Sequence, residues 1–531
     1  MEASALIDAL SRPEAYPHPV DAVEVHQTHI SVVFLAGPFA YKIKKPVDLG
    51  FLDFSTLEKR KHFCEEEVRL NRRLAPHVYL GILPIASSSP LPSGGEGPGV
   101  RGLNFGGAGP AIEWAVQMKR LPNDATIESR LERDAVTPAQ LSTLAERLAE
   151  FHRNADANER IAAFGRFEIV AHNARENFTQ AAPLVGATVS PGVFERVRVL
   201  TETFLSRLHD LIESRANRGV PRDTHGDLHL DHVYLFPGET PPNDLVIIDC
   251  IEFTDRFRFA DPVADVAFLA MDLSFHGRRD LARIVTDRYF QITGDNEGRR
   301  LLPFYSAYRA VIRAKVKGME LHDPTIDDAE RADAAIRARA HWLVALGELE
   351  EPAKRPALLL IAGLPGTGKS TLAKSLATKA DFQVLRSDVV RKEIASDERG
   401  NIYTNEWTEC TYTELLRRAE GLLWRGERVL IDANFRQDDW RRRFLNASRT
   451  WGVPMLFIQC HAAPDVLRER LQSRQGDVSD ADWNVYQTLE ASWQPISAPV
   501  ARVTLAVDTS GELADYEKRV VATLREEGLV E

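Results

Sequence analysis

At 531 residues the chain is too long for one hydrophobic core, so two or three domains are expected. Apolar residues make up 44% and charged residues 27%, and the formal net charge of −11 excludes an overall positive field that would gather nucleic acid or acidic lipid. Cys64, Cys250, Cys410 and Cys460 lie far apart with no CxxC pair, which argues against a zinc site or a disulfide framework and suits reduced thiols.

The N-terminal MEASALIDALSRPE has no basic region and no long apolar run, so it is not read as a signal peptide. No apolar segment approaches bilayer length, and a cytoplasmic chain outside the membrane is expected. Residues 30–45, ISVVFLAGPFAYKIKK, read as two strands around a Gly-Pro turn. In LEKRKHFCEEEVRLNRRLA (57–75) Phe63, Glu67, Leu70 and Leu74 recur at helical spacing. The Gly/Pro/Ser-rich stretch 86–111 is expected to be a mobile insertion, and IEWAVQMKRL after it reads as a strand. From about 125 to 215 the apolar pattern is mainly helical, VIIDCIEF (246–253) reads as a short buried strand, and helices dominate to about 345. GELEEPAKRP (347–356) reads as a charged, proline-bounded linker. Beyond it ALLLIAG, FQVLRSD, RVLIDAN, PMLFIQC and RVTLAVD alternate with helical stretches, which argues for a parallel sheet with helices on both faces. The chain therefore divides into 1–345, a linker over 346–355, and 356–531.

The segment Gly363, Leu364, Pro365, Gly366, Thr367, Gly368, Lys369, Ser370 fits G-x-x-x-x-G-K-[ST] between an apolar strand and a helix that continues through Thr371. Glycines let the backbone curl so that N–H groups point at phosphate oxygens beside the positive end of the helix. Lys369 would reach the β and γ phosphates of ATP, and the Ser370 hydroxyl would ligate magnesium. Asp432 ends the strand RVLID, the place for a further magnesium carboxylate or, with equal weight, a helix N-cap. Asp388 follows the second strand and carries Arg391 one helical turn later. That carboxylate suits taking the proton of an acceptor hydroxyl while the arginine clamps an anion; the alternative is a capping Asp with a surface Arg. PDVLRERLQSRQ sets Arg470 and Arg474 on one helix face and Leu467 and Leu471 on another, either as a lid over the transferring phosphoryl group or as a solvated face.

These features over about 356–510 resemble the small P-loop kinases, among them zeta toxins, gluconate kinase-like enzymes and polynucleotide 5′-hydroxyl kinases. The resemblance implies transfer of a γ-phosphate to a hydroxyl, with acceptors ranging from sugars to nucleic acid ends. DDWRRRF (438–444) reads as a site for a phosphorylated or nucleic acid acceptor or as a wet helix face.

In the first half, THGDLHLDH (224–232) taken with VIIDCIEF resembles the aminoglycoside phosphotransferase/choline kinase family over about 25–340. The resemblance implies Asp227 as the base, Asp249 as a metal ligand, Lys42 (with Lys44 as the alternative) on the phosphates, Glu67 holding that lysine, and VQMKRL with Met118 as the hinge for adenine. Asp265 and His152 read as structural. The family's magnesium-binding Asn is His232 here, and imidazole suits manganese, zinc or iron better than magnesium. Either Asp231 or water supplies the oxygen while His232 stands aside, or the site favours manganese, or the half binds without catalysing. His229 reads as a backbone brace. Tyr305, Arg309, Arg313 and Lys317 share one helix face, either lining an anionic acceptor pocket or ion-paired with acids such as Asp272.

The expected architecture is α/β and α+β in two domains: a bilobal protein-kinase-like fold, then a P-loop NTPase fold with a parallel sheet flanked by helices. The expected chemistry is ATP-dependent phosphotransfer to a hydroxyl-bearing acceptor with magnesium, nucleic acid being the less favoured acceptor. The rival reading makes the N-terminal half a non-catalytic module that regulates a P-loop ATPase or a polynucleotide kinase.

Overall fold

The structure is a computed structural model that describes residues 3–50, 52–87, 103–107, 109–324, 326–395, 401–473 and 483–531. Most of the stretch expected to be a mobile insertion lies outside the described residues; its two ends form strand. Two compact units are present: Met1–Val170 with Asp210–Ala270 and Asp280–Arg300, and Ala171–His209 with Met271–Arg279 and Leu301–Glu531. Among the described residues no helix is long and apolar enough to cross a membrane.

The first unit is built on an antiparallel sheet of β1 (Val23–Gln27), β2 (Ser31–Ala36), β3 (Phe39–Lys44), β4 (Tyr79–Ser87), β5 (Leu103–Phe105) and β6 (Ala111–Lys119), in the order β1-β2-β3-β6-β4-β5. The expected Gly-Pro turn joins β2 to β3: Ala36 pairs with Phe39, and Gly37 takes a φ of 56° that glycine adopts without strain. Strand alternation sends Val32, Phe34, Tyr41 and Ile43 into one apolar cluster. Ala40 goes to the opposite face, with Val116 and Met118, and meets Cys64 and Val68 of the helix Leu57–Asn71. Lys42 and Lys44 alternate with Tyr41 and Ile43 and so share that second face. The helix is capped by Thr56, whose side chain accepts from the Lys59 N–H.

Two short pairings complete this unit's loop region. β7 (Arg222–Asp223) pairs with β10 (Phe259–Ala260), and β8 (Val233–Leu235) with β9 (Leu245–Ile247). VIIDCIEF is thus strand only to Ile247, shorter than expected, because Asp249 takes a positive φ of 64° and turns the chain out of the ladder.

The second unit contains a parallel sheet of β11 (Leu358–Ala362), β12 (Gln383–Arg386), β13 (Val429–Asp432), β14 (Met455–His461) and β15 (Thr504–Asp508), ordered β12-β13-β11-β14-β15. One face packs Leu359, Ile361 and Ile458 against Leu372 and Leu376 of the helix Lys369–Ala380 and Val520 and Leu524 of the helix Leu513–Glu526. On the other, Phe457 meets Phe435, which meets Phe444 of the helix Asp438–Thr450. The stretch expected as a linker opens instead with the last turn of the helix Asp328–Leu349, whose Leu346 and Leu349 are buried. Arg196 then grips Glu350 through two hydrogen bonds of 2.7 Å. The same helix stacks Arg339 over Trp451, 3.9 Å from the ring centre. The sequence-based limits mark where the chemistry changes, whereas the compact units follow this packing.

Candidate functional sites

In the first unit the helix Leu57–Asn71 lays Glu67, fully buried, over the two lysines of β3. Lys42 Nζ lies 3.0 Å from Glu67 Oε1 and 2.7 Å from Asp249 Oδ1. Lys44 Nζ lies 2.8 Å from Glu67 Oε2 and also pairs with Glu252 Oε1. One glutamate therefore serves both candidate lysines, and only Lys42 reaches Asp249. Burial alone would lower both lysine pKa values, but the carboxylates outweigh it, Asp249 and Glu67 on Lys42 and Glu252 and Glu67 on Lys44, and hold both above the ordinary lysine value. Burial acts to raise the pKa of Asp249, yet Lys42 and then His232 hold it below the ordinary carboxylate range. Glu252 was not singled out in the sequence; an acid three positions after Asp249 in an apolar run was the signal available.

Neighbouring elements fix the unusual backbone at Asp249. Its N–H donates to the Tyr79 hydroxyl at 3.2 Å, and the Cys250 N–H donates to Asn71 Oδ1 at 2.9 Å. The loop after β7 is tied down from beneath. Fully buried Asp265 accepts from the N–H groups of His225 (2.8 Å) and Gly226 (3.0 Å), and His152 lies 3.2 Å from it. Both are therefore structural, as read. Gly226 has a φ of 86°, and a Cβ there would lie 2.9 Å from the Phe257 carbonyl oxygen. His225 Nε2–H donates to the Ile248 carbonyl at 2.9 Å and ties this loop to the chain leading into Asp249.

His232 does not stand aside. Its Nδ1–H donates to the Asp227 carbonyl oxygen at 2.9 Å, and its Nε2 lies 3.6 Å from Asp249 Oδ2. Burial, with His229 alongside, lowers its pKa and favours the neutral ring. The side chain of His229 faces Asp231 Oδ1 at 2.8 Å and Asp227 Oδ2 at 3.5 Å. Met118 sits on β6 opposite Ala40 and Tyr79.

In the second unit Gly363, Gly366 and Gly368 have φ of 151°, 82° and 73° between β11 and the helix that begins at Lys369. A Cβ on Gly363 would lie 2.5 Å from Thr367 Oγ1 and 2.7 Å from the Cys460 carbonyl, so the curl admits only glycine. Thr367 Oγ1 donates to the Leu364 carbonyl at 2.7 Å and holds the curl. No side chain caps the helix at Gly368, which leaves its first N–H groups for a ligand. Pro365 lies within the curl, and Ser370 and Thr371 lie in the first turn.

Asp432 ends β13 beside Ile361 of β11 and is buried. Its Oδ1 has no hydrogen-bond partner and its Oδ2 lies 3.4 Å from Arg386 Nε. It is no helix N-cap, because the next helix starts at Asp438 behind Gln437. An orphaned buried carboxylate oxygen next to a phosphate-type loop fits a divalent cation.

Asp388 stands in the first turn of the helix Ser387–Ile394, directly after β12. Arg391 is buried rather than on the surface: it donates to the Ile402 carbonyl at 2.9 Å and lies 5.5 Å from the Tyr403 ring centre. Arg470, on the helix Pro464–Gln472, donates to the Thr509 carbonyl at 2.7 Å and the Gly366 carbonyl at 3.4 Å, so it braces the loop instead of facing solvent. Arg474 lies outside the described residues. In DDWRRRF, Arg441 is fully buried and Arg442 and Arg443 pair with Asp438, Asp439 and Glu409, so the run is a structural bracket and a paired face. On the helix Leu302–Glu320, Tyr305 and Arg309 are buried and Lys317 pairs with Glu320 at 2.9 Å, which does not make an open cationic stripe. Arg386 and Thr509 escaped the sequence reading; the Thr509 hydroxyl donates to the Thr367 carbonyl at 2.7 Å and joins the end of β15 to the loop.

These two sites match two families. Residues 63–304 match the phosphotransferase enzyme family and residues 358–496 match an AAA domain family, so the chain is a kinase that joins an aminoglycoside phosphotransferase-type domain to a P-loop domain. Uncharacterized proteins of Mycobacterium tuberculosis and Mycobacterium bovis are 33% identical over 486 residues, covering 89% of this chain and 91% of theirs. The chain belongs to the family of these two-domain proteins. Human adenylate kinase isoenzyme 1 is 26% identical over 200 residues, 34% of this chain and 93% of its own length. Among solved structures, a gluconokinase from Sinorhizobium meliloti 1021 is 19% identical over 33% of this chain and 93% of its own, with a TM-score of 0.27. The GDP complex of aminoglycoside 2′-phosphotransferase-IIIa is 14% identical over 61% of this chain and 94% of its own, with a TM-score of 0.38.

Proposed function

We propose that the chain moves the γ-phosphate of ATP to a hydroxyl of a small-molecule or nucleotide-type acceptor, and that the C-terminal half carries the transfer. The observation that supports this most is the glycine-only curl at Gly363–Gly368, opening on an uncapped helix beside the orphaned Oδ1 of Asp432. In this reading the loop N–H groups and Lys369 bind the β and γ phosphates, and Ser370 and Asp432 hold magnesium, which neutralises charge on the phosphate oxygens. Asp388 takes the acceptor proton, Arg391 holds an acceptor anion, and Arg470 keeps Gly366 in place for the phosphates. The similarity to an adenylate kinase over 34% of the chain supports a nucleotide-type acceptor. Three of the four cysteines are buried and all are free, which suits the cytoplasm.

The N-terminal half supports a second reading. Lys42, Glu67 and Asp249 stand together, and with Lys42 on phosphate and Asp249 on metal this cluster supports a working second kinase site with Asp227 as base over a purely regulatory module. Transfer of labelled γ-phosphate, screened over sugars, nucleotides, small alcohols and antibiotics with magnesium and with manganese, tests both. The expected result is that Asp388→Asn abolishes transfer to one acceptor class and Asp227→Asn abolishes transfer to another. Transfer that survives Asp388→Asn undiminished overturns the C-terminal assignment; Asp227→Asn without effect makes the first half a binding module. Strongly salt-dependent binding of single-stranded oligonucleotides would redirect the C-terminal assignment to a polynucleotide end kinase.

A further inference from the structure

The loop after β7 carries more imidazole than a magnesium–nucleotide site needs, and its rings are oriented. His229 Nδ1 lies 2.8 Å from Asp231 Oδ1, and His232 Nδ1 lies 2.9 Å from the Asp227 carbonyl oxygen. A carboxylate or carbonyl oxygen accepts, so each Nδ1 is the donor there and Nε2 is the ring atom turned toward a prospective metal. Those Nε2 atoms face carboxylates: His229 meets Asp227 Oδ2 at 3.5 Å and His232 meets Asp249 Oδ2 at 3.6 Å. The two rings lie against each other with centres 3.7 Å apart.

Ligand atoms about 2.1 Å from one metal sit roughly 3 Å apart when adjacent and about 4.2 Å apart when opposite. Asp227, His229 and His232 each offer a ligand atom, and those atoms all lie within 4.8 Å of one another. Asp231 on the far nitrogen of His229 supplies the carboxylate–histidine arrangement that orients metal-binding rings.

We propose that Asp227, His229 and His232 form a centre for a first-row transition dication of the manganese-to-zinc class, oriented by Asp231, and that it discriminates against magnesium. Magnesium favours hard oxygen ligands and holds its water tightly, whereas imidazole nitrogen suits the transition metals. The inference rests on reading this loop as the metal end of the N-terminal site; it adds His229 as a ligand, has one Asp227 oxygen bind the metal while the other keeps the base role, and makes Asp231 a positioning residue.

The test uses the intact chain, stripped with EDTA and without nucleotide or acceptor. Mn2+ and Mg2+ are titrated calorimetrically, and pulsed electron paramagnetic resonance reads nitrogen coupling to bound Mn2+. Mn2+ is expected to bind at least about tenfold tighter than Mg2+, with coupling from two imidazole nitrogens. His229→Gln and His232→Asn should each weaken Mn2+ by about 10- to 100-fold and remove one coupling, and Asp231→Asn should weaken it while keeping both. Equal affinity for the two ions, absent nitrogen coupling in the unmodified protein, or unchanged Mn2+ affinity in both histidine variants would overturn the proposal. The unmodified protein alone decides the matter if a variant fails to fold. The readout needs no transfer, so its failure leaves the phosphotransferase reading standing, and a failed transfer screen leaves the metal centre standing.

Discussion

Lys42 and Asp249 meet at 2.7 Å although 207 positions separate them in the chain. The contact exists because β3 alternation turns Lys42 toward the helix Leu57–Asn71, while the left-handed backbone at Asp249, held by Tyr79, ends the β9 ladder and brings the carboxylate over the lysine. Two lysines two positions apart thereby acquire different tasks. Lys42 joins the cluster of Asp249 and Glu67, and Lys44 is sealed between Glu67 and Glu252.

Lys44→Met should therefore be the costlier change for stability. It strands buried Glu252, whose ion-pair partner is Lys44, and leaves Glu67 only Lys42, a loss of about 3–5 kcal/mol for a broken buried pair. Lys42→Met leaves Glu67 its second lysine, so it should destabilise much less while removing nucleotide binding in the first unit. Denaturant unfolding with nucleotide titration of both variants checks the division. Equal destabilisation would contradict it.

What the sequence shows and what it hides divide along the range of the interactions. The P-loop was legible because phosphate binding is specified within eight consecutive residues, from Gly363 to Ser370, and the five parallel strands because each is a short apolar run. The hairpin at Gly37 was legible for the same local reason. The sharing of Glu67 by two lysines, the pairing of Arg386 with Asp432, and the tie from Thr509 to Thr367 are contacts between distant segments, and no spacing along the chain encodes them. The direction of the His229 ring was not legible, because a short loop has no period from which to infer where a ring points. The turn from Gly347 to Leu349 was concealed by the glutamates and proline around it, whose charge suggested solvent while Leu346 and Leu349 went inward.

Arg441 should prove structural and not nucleic acid-binding. Its buried guanidinium donates to the carbonyls of Phe435 (2.7 Å), Gln494 (2.9 Å), Arg436 (3.0 Å) and Pro495 (3.3 Å). Arg441→Ala leaves those acceptors unpaired and should cost roughly 3 kcal/mol. Arg442→Ala with Arg443→Ala removes ion pairs of two half-exposed arginines and the stacking of Arg443 on Trp440, and should shift stability by less than about 2 kcal/mol. Thermal unfolding separates the two, and oligonucleotide affinity should be unchanged in the double variant.

His341 should make the second unit sensitive to acid. The ring is buried and stacks on Phe275 with centres 4.0 Å apart; its Nδ1–H donates to the Arg337 carbonyl at 2.7 Å, and its Nε2 has no hydrogen-bond partner. Burial, and then Arg313, holds its pKa well below the ordinary histidine value of 6.5. The unfolded chain thus takes up a proton that the folded chain refuses, so stability is complete above about pH 6.5 and falls as the pH drops below it. His341→Leu removes this loss: it should melt no higher than the unmodified protein at pH 7.5 and higher at pH 5. A parallel decline of both proteins between those pH values would exclude His341 as the source.

Lys369→Ala and Asp388→Asn should fail in different ways, because the two side chains stand on different elements with different partners. Lys369 opens the helix at the uncapped Gly368, and in the proposed function its ammonium acts on the phosphates of ATP. Its loss should end crosslinking of a photoreactive ATP to peptides within 356–531 of the intact chain. Asp388 follows β12 on a separate helix beside buried Arg391, and the proposed function gives it the acceptor and not the nucleotide. Asp388→Asn should keep that crosslinking, keep KM for ATP within about twofold, and lower kcat by about 10²–10⁴, the usual contribution of a general base. Lost crosslinking in Asp388→Asn would place this carboxylate on the nucleotide, and the acceptor proton would then have to leave by way of another group on the same sheet edge.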